Sequence, residues 1–408
     1  MDPLWFGLFA VFVALALLLR PTAVRARVFG APTNPFAALT RWVPDSGVLA
    51  QVPYIFRLSA HVANLFLFRL KRAPPAPFER QDVDLADGGV IALDWTQPLD
   101  ATAGPDAPIV AFVPGLTGSS KAPYVLSAID LLRRTFRRVR CVVVNYRGCA
   151  GTPLRTPRLY CAADTGDLSA AVAAMQRRYA SAPLQCLVGY SLGSVLVVRY
   201  AAETGDKCPF RSAVSVSNPW DFNGGAKALL LPVNRWLYNL PLARDMRRIF
   251  RKHSAVLAKS AVIDAKRALS GRTIADFDAA VTAPTFGFAS VGDYYTAASS
   301  AQHIGRVRVP LMCINALDDP FTFVKHLPVK EVHASRCAFL VVTDCGGHLA
   351  FPQCRRQPFL PAALALLGMQ AHSIADTLIA EFISAMQLRS STTTTATGAG
   401  GTGSDGAK

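Results

Sequence analysis

From residue 80 onward, short apolar runs rich in Val, Ile, Leu and Cys alternate with longer amphipathic segments. That alternation predicts an α/β architecture, a mostly parallel sheet covered by helices. Eight strands are expected, at Gln81 to Leu85, Val90 to Trp95, Pro108 to Val113, Val139 to Asn145, Leu184 to Gly189, Ser212 to Ser217, Val309 to Asn315 and Ala338 to Val342. Helices are expected between them, for example over Leu168 to Tyr179 and Leu192 to Glu203. The interval 219–308 carries no strand pattern and is too long for a loop in a compact domain, which predicts a helical cap inserted after the sixth strand.

The two ends read differently. Leu4 to Leu19 is an uncharged, almost wholly apolar run followed by Arg20, Arg25 and Arg27. It nearly reaches the roughly 17 to 25 residues of a spanning helix, and only Asp2 precedes it where a cleaved signal would carry positive charge. A membrane anchor over residues 1–27 is expected, with the arginines holding the bulk of the chain on the cytoplasmic side, at the endoplasmic reticulum or a similar membrane. A linker and lead-in segment over 28–79 follows, containing the stiff stretch Ala73-Pro74-Pro75-Ala76-Pro77. The core is expected over 80–218 and 309–389, and residues 390–408, rich in Ser, Thr, Gly and Ala, as a disordered tail.

Composition narrows the class. With 51% hydrophobic and 17% charged residues, general disorder is excluded. Lys and Arg number 43 against 27 Asp and Glu, a net +16 that favours an anionic partner such as a phospholipid surface. The cysteines are scattered without a CxxC pair or a metal-like spacing, and none of the asparagines lies in a glycosylation sequon, so buried thiols in a reducing compartment are expected. No Walker loop, GxGxxG or metal constellation is visible, so neither metal nor cofactor is expected. No nucleic-acid reading motif accompanies the arginines.

The chemistry sits at the strand ends. Gly189-Tyr190-Ser191-Leu192-Gly193 follows an apolar strand and opens a helix, the setting of a nucleophile elbow with Ser191 at its apex. The base and orienting acid of such a site follow in the order Ser, Asp or Glu, His. His348 stands behind Gly346-Gly347 after the last strand, and Asp318-Asp319-Pro320 follows the strand before it. Either carboxylate has suitable spacing; the proline-initiated turn favours Asp319. The glycine-bracketed loop Pro114 to Ser120 would supply the Leu116 amide opposite the Leu192 amide as an oxyanion hole. Arg244, Arg247, Arg248, Arg251 and Lys252 fall on one helical face, a candidate contact for anionic lipid.

Over about residues 50 to 370 the chain resembles the α/β-hydrolase branch that holds membrane-anchored mammalian esterases and phospholipases, yeast medium-chain esterases and acylglycerol lipases, and a bacterial esterase group. The likeness rests on Asp87-Gly88-Gly89, Leu93-Asp94-Trp95, PGLTGSS, Asn145-Tyr146-Arg147-Gly148, GYSLGS, Asp276-Phe277-Asp278, the Phe286-Gly287-Phe288 and Asp293-Tyr294-Tyr295 elements, Asp319 and Gly347-His348. It implies Ser191, Asp319 and His348 as a triad, and hydrolysis of carboxylic esters of lipids. Where that branch carries an Asn-Gly-His-Leu-Gln-Thr-like stretch, this chain has Ser59 to Asn64. The aromatic cap elements are read as packing. An alcohol acyltransferase using the same acyl-enzyme and a non-catalytic ligand-binding pseudo-hydrolase are the competing readings.

Overall fold

The computed structural model describes residues 20–31, 34, 47–69, 74–353 and 372–396, with scattered positions among 11–18. Ten strands form one mixed sheet: β1 (Pro21–Phe29), β2 (Val48–Pro53), β3 (Glu79–Asp84), β4 (Val90–Trp95), β5 (Ile109–Val113), β6 (Arg140–Asn145), β7 (Leu184–Tyr190), β8 (Ala213–Val216), β9 (Leu311–Ala316) and β10 (Ala338–Thr343). Their spatial order is β2-β1-β10-β9-β8-β7-β5-β6-β4-β3. The run from β6 to β10 is parallel, and antiparallel pairs close both edges.

The central strands are buried on both faces, as a helix-covered parallel sheet requires. Along β5, Ile109, Ala111 and Val113 enter one apolar cluster while Val110 and Phe112 enter the other. This is the period-two alternation of a strand with both faces covered. β5 lies between β6 and β7, so the direction of strand addition reverses around it. At such a reversal the connections leave to opposite faces and open a crevice beyond the carboxyl ends of the strands. The loop after β5 and the turn after β7 both face that crevice.

The sheet has two more strands than the eight expected. β1 falls where residues 1–27 were expected to form an anchor, and β2 falls in the expected lead-in segment 28–79. β1 alternates over its centre: Val24 and Ala26 are buried while Arg25 and Arg27 face solvent. Those arginines, expected as the charged flank of a membrane helix, are therefore the outer face of a strand that pairs with β10 from Ala26↔Thr343 to Phe29↔Leu340. Arg25 and Asp344 lock the register, the Arg25 amide donating to Asp344 Oδ1 at 3.0 Å and the Asp344 amide to the Arg25 carbonyl at 2.9 Å. The apolar run upstream lies largely outside the described residues, and no helix among the described residues is long and apolar enough to cross a membrane. At the other end, helix Ile374–Ala396 runs into the segment expected as a disordered tail.

The interval 219–308 is helical, as its length requires. It includes helices Phe222–Ala228, Leu240–Lys252 and Val291–Ala298, and two π-helical turns, Arg235–Asn239 and Asp278–Thr282. Met246, Phe250, Leu257, Phe277 and Val281 give it a small core shared with Leu154 and Leu159 of the body.

β1 provides a direct test of the revised N-terminal boundary. Val24→Ala, at a position 0% exposed, should cost about 2 kcal/mol in urea unfolding, and Arg27→Ala less than about 0.5 kcal/mol. Equal effects would mean that β1 does not pack on the sheet.

Candidate active site

Ser191 sits between β7 and helix Leu192–Thr204 with φ 52° and ψ −117°, backbone angles that a side chain rarely adopts. The turn is held because flanking backbones touch. A Cβ on Gly189 would lie 2.4 Å from the Gly193 carbonyl oxygen, and one on Gly193 would lie 2.1 Å from that of Val113. Only glycine fits either place.

Two loops meet the serine. His348 Nε2 is 2.8 Å from Ser191 Oγ, and its Nδ1 is 2.9 and 3.0 Å from the Asp319 carboxylate oxygens. In the tautomer this geometry fits, Nδ1–H donates to Asp319 and Nε2 accepts from the serine hydroxyl. Asp319 and His348 are both buried. Phe321 stacks on the imidazole with ring centroids 3.9 Å apart, and its amide donates to Asp319 Oδ1 at 2.8 Å.

Asp318 turns elsewhere. Its Oδ1 accepts the Gly346 and Gly347 amides, both at 2.9 Å, so it anchors the histidine loop by its backbone. Burial pushes its carboxyl up to about 6. The third consecutive amide, that of His348, donates to Asn64 Oδ1 at 3.0 Å.

The loop after β5 is fixed from behind. The Gly115 amide donates to Tyr124 Oη at 3.1 Å and the Thr117 amide to Tyr160 Oη at 3.0 Å. Between them, the Leu116 amide meets no hydrogen-bond acceptor among the described residues, and neither does that of Leu192 at the first turn of its helix. Tyr146 donates its hydroxyl to the Pro114 carbonyl, and Ser120 bonds Asn145 and Asp94.

These groups open into a cavity of about 980 Å³ between the cap and the carboxyl end of the sheet. Its lining is mostly apolar, with Leu116, Leu159, Leu229, Met246, Ile249 and Phe277 among the contributors. Of the cap elements read from the sequence as packing, Phe286 and Phe288 pack against the core and Tyr294 and Tyr295 are buried within it; the acidic motif residues of the cap divide in two. Asp276 and Asp293 serve helix starts, bonding Thr273 and Ser290. Asp278, Tyr294 and Tyr295 line the cavity, with Tyr295 Oη donating to Asp278 Oδ2 at 2.9 Å. Burial pushes the Asp278 carboxyl up to about 6.

Asn64, Tyr124, Asn145 and Tyr238 also belong to this site, although sequence reasoning assigned them no part in it. The stretch Ser59 to Asn64 did stand out, as a departure from the resembled branch. The expected basic face is also altered, because Arg247 is partly buried and donates to the Gly271 carbonyl. Arg244, Arg248, Arg251 and Lys252 remain exposed. No cluster of three metal-ligating side chains occurs among the described residues.

A family model for the alpha/beta hydrolase fold matches residues 108–353. The chain belongs to that family. It is 34% identical over 281 residues to the human protein named phospholipase ABHD3, covering 68% of each chain. It is 30% identical over 249 residues to a monoacylglycerol lipase of Saccharomyces cerevisiae, covering 60% of this chain and 55% of that one. A putative esterase of Escherichia coli, YheT, is 29% identical over 331 residues, covering 80% of this chain and 91% of that one. Within the family, the chain is a carboxylic ester hydrolase of the lipase and esterase type.

The buried Asp278 predicts a pH effect on stability. Its folded pKa lies above the ordinary carboxyl value, so its contribution is fully present below about pH 4 and is lost as pH rises through about 6. Asp278→Asn should remove of order 2 kcal/mol of that decline, measured by urea unfolding at pH 4 and pH 7.5. Parallel pH curves for wild type and variant would contradict it.

Proposed function

We propose that the protein hydrolyses carboxylic esters of lipids, acylglycerols or medium-chain phospholipids, through an acyl-enzyme on Ser191. The observation that carries this reading is the continuous Ser191–His348–Asp319 hydrogen-bonded chain at the floor of a large apolar cavity. The names of the relatives, a phospholipase and a monoacylglycerol lipase, point to the same substrate class.

In this reading His348 Nε2 takes the hydroxyl proton as Ser191 Oγ attacks the ester carbonyl. The resulting oxyanion is met by the Leu116 and Leu192 amides, and Asp319 holds the imidazolium that forms. The same proton then passes to the departing alcohol as the C–O bond breaks, leaving the acyl-enzyme. Water repeats the sequence on the opposite stroke, its proton going to His348 and then back to Ser191 as the fatty acid leaves. Burial of the apolar chain along the cavity supplies the binding energy, and the triad supplies no chain-length rule of its own.

The same reading places the protein at a membrane. Leu65, Leu230, Trp236 and Leu237 line the cavity and are all exposed, Trp236 by 72%, so the mouth is rimmed by apolar side chains. Lys121 and Arg244 stand among them. An aromatic and aliphatic rim with cations beside it suits the headgroup boundary of an anionic bilayer. The apolar run Leu4 to Leu19 would tether the chain there, facing the cytoplasm by the positive-inside rule.

Three measurements test this. A fluorophosphonate probe should label the wild type and leave Ser191→Ala unlabelled; persistent labelling would put the nucleophile elsewhere. On a soluble ester, Asp319→Asn should lower kcat about 10⁴-fold, whereas Asp318→Asn, whose amide oxygen still accepts two N–H groups, should stay within about tenfold. The reverse ranking would exchange their roles. Deletion of residues 1–19 should release the protein from carbonate-washed membranes; full-length protein in the soluble fraction would contradict the tether.

A further inference from the structure

The histidine loop has two fastenings of different origin. Asp318 comes from the loop after β9, within the hydrolase body. Asn64 comes from helix Ala60–Arg69, which precedes residues 108–353 of the family match and packs beside the cap. Its side chain is buried, with the whole residue only 1% exposed. Its Oδ1 accepts the His348 amide at 3.0 Å, and its Nδ2 donates to Tyr238 Oη at 3.1 Å. Tyr238 belongs to the π-helical turn Arg235–Asn239 of the cap, and its hydroxyl lies 2.9 Å from His61 Nδ1. Burial lowers the His61 pKa, so Nδ1 of the neutral ring can accept the tyrosine proton.

The tyrosine ring continues the connection. It packs against Phe321 at 5.1 Å between centroids, and Phe321 stacks on the His348 imidazole at 3.9 Å. Asn64 thus holds the backbone of His348, while Tyr238, the residue it bonds, presses on the ring that covers the imidazole. Gly347 makes the approach possible. Its φ is +62°, and a Cβ there would fall 2.6 Å from Asn64 Oδ1.

We propose that Asn64 is a positioning residue for the reaction, fixing His348 against Ser191 through the loop backbone, and that Tyr238 makes this fixation depend on the seated cap. This rests on the assignment of His348 as the general base. Gly346 and Gly347 bring no side chains to fix the backbone ahead of His348, so that stretch is held through its amides. Removing Asn64, one of the two acceptors for its three amides, frees the histidine to move by fractions of an ångström, while the nucleophile and its oxyanion donors are untouched. Misplacement of about 1 Å at a catalytic group costs about 10²-fold in rate. The loss should therefore fall on kcat and leave KM for a small ester nearly unchanged.

The test uses the full-length protein with a soluble short-chain ester. Asn64→Ala should lower kcat by about 10- to 100-fold with KM within about threefold, and slow fluorophosphonate labelling of Ser191 in parallel. Asn64→Asp keeps the acceptor for the His348 amide and should recover most of the kcat at alkaline pH. Its added charge near the imidazolium should also move the acid limb of the pH profile upward. Tyr238→Phe keeps the ring on Phe321 while removing the hydroxyl, and should lose a smaller factor, about threefold to tenfold. The proposal is overturned if folded Asn64→Ala keeps wild-type kcat, or if Asn64→Asp is as slow as the alanine variant with an unshifted pH profile. Should the alanine variant not fold, the aspartate and phenylalanine variants decide it alone. Wild-type protein that neither takes the probe nor cleaves the ester would refute the functional assignment itself, and the positioning role with it.

Discussion

The site depends on one constraint, the close approach of backbones around Ser191. Strand β7, the helix after it and strand β5 come together at Gly189, Gly193 and Val113 with no room for a side chain between them. That contact forces the serine into its unusual dihedrals and points its hydroxyl away from the sheet. It also brings the first turn of the helix, with its unbonded Leu192 amide, beside the loop after β5. Strain of this kind persists only where surrounding structure over-determines it. Here the surroundings are six parallel strands buried on both faces.

The loop after β5 would wander without a second constraint, and a buried polar network supplies it. Asp94 on β4 accepts from Arg80 twice at 2.8 Å, from Ser120 at 2.5 Å and from Asn145 at 2.9 Å. Burial works against its charge, but Arg80 and the two neutral donors hold its pKa below the ordinary carboxylate range. An ionised, fully bonded carboxylate thus ties the loop bearing Leu116 to the sheet edge. Each member leaves the others unsatisfied if removed, which makes such a network stiff. This gives a physical content to motifs such as Leu93-Asp94-Trp95 and Asn145-Tyr146-Arg147: they hold the loops around the reaction, and none of their side chains touches Ser191 or His348 among the hydrogen bonds of the site.

The strands from β4 onward were legible because each is a short, mostly apolar run buried along its length, and the turn at Ser191 was legible because it demands glycines at fixed spacing; the polar edge strand β3 was legible only by its place before β4. β1 was not, because Arg25 and Arg27 next to an apolar segment read equally as the flank of a membrane helix. Only the tertiary partner, β10, shows that Val24 and Ala26 have a core to enter. Asn64 was hidden for a similar reason. Its hydrogen bonds reach 284 residues along the chain to His348 and 174 to Tyr238, distances that no local pattern encodes. The cap aromatics pack as their sequence suggests, and what periodicity could not say is that Tyr294 and Tyr295 also border the cavity.

Asp318 and Asp319 show how adjacent, chemically identical side chains acquire different work. Asp319 faces the imidazole and has a cationic partner whenever His348 gains a proton. Asp318 faces only amide dipoles, and its Oδ2 is buried without a hydrogen-bond partner. Its carboxyl is pushed up to about 6, first by burial and then by the neighbouring charge of Asp319, against the pull of the glycine amides. Protonation of Asp318 therefore falls in the same range as that of an ordinary histidine. Protonation in that range removes the charge beneath the loop that carries His348, because Asp318 Oδ1 is the acceptor of the Gly346 and Gly347 amides. That change acts through backbone amides alone, so it alters where the histidine stands and not what it can accept, and it is absent from an Asp318→Asn variant, whose amide oxygen accepts the same two N–H groups without titrating.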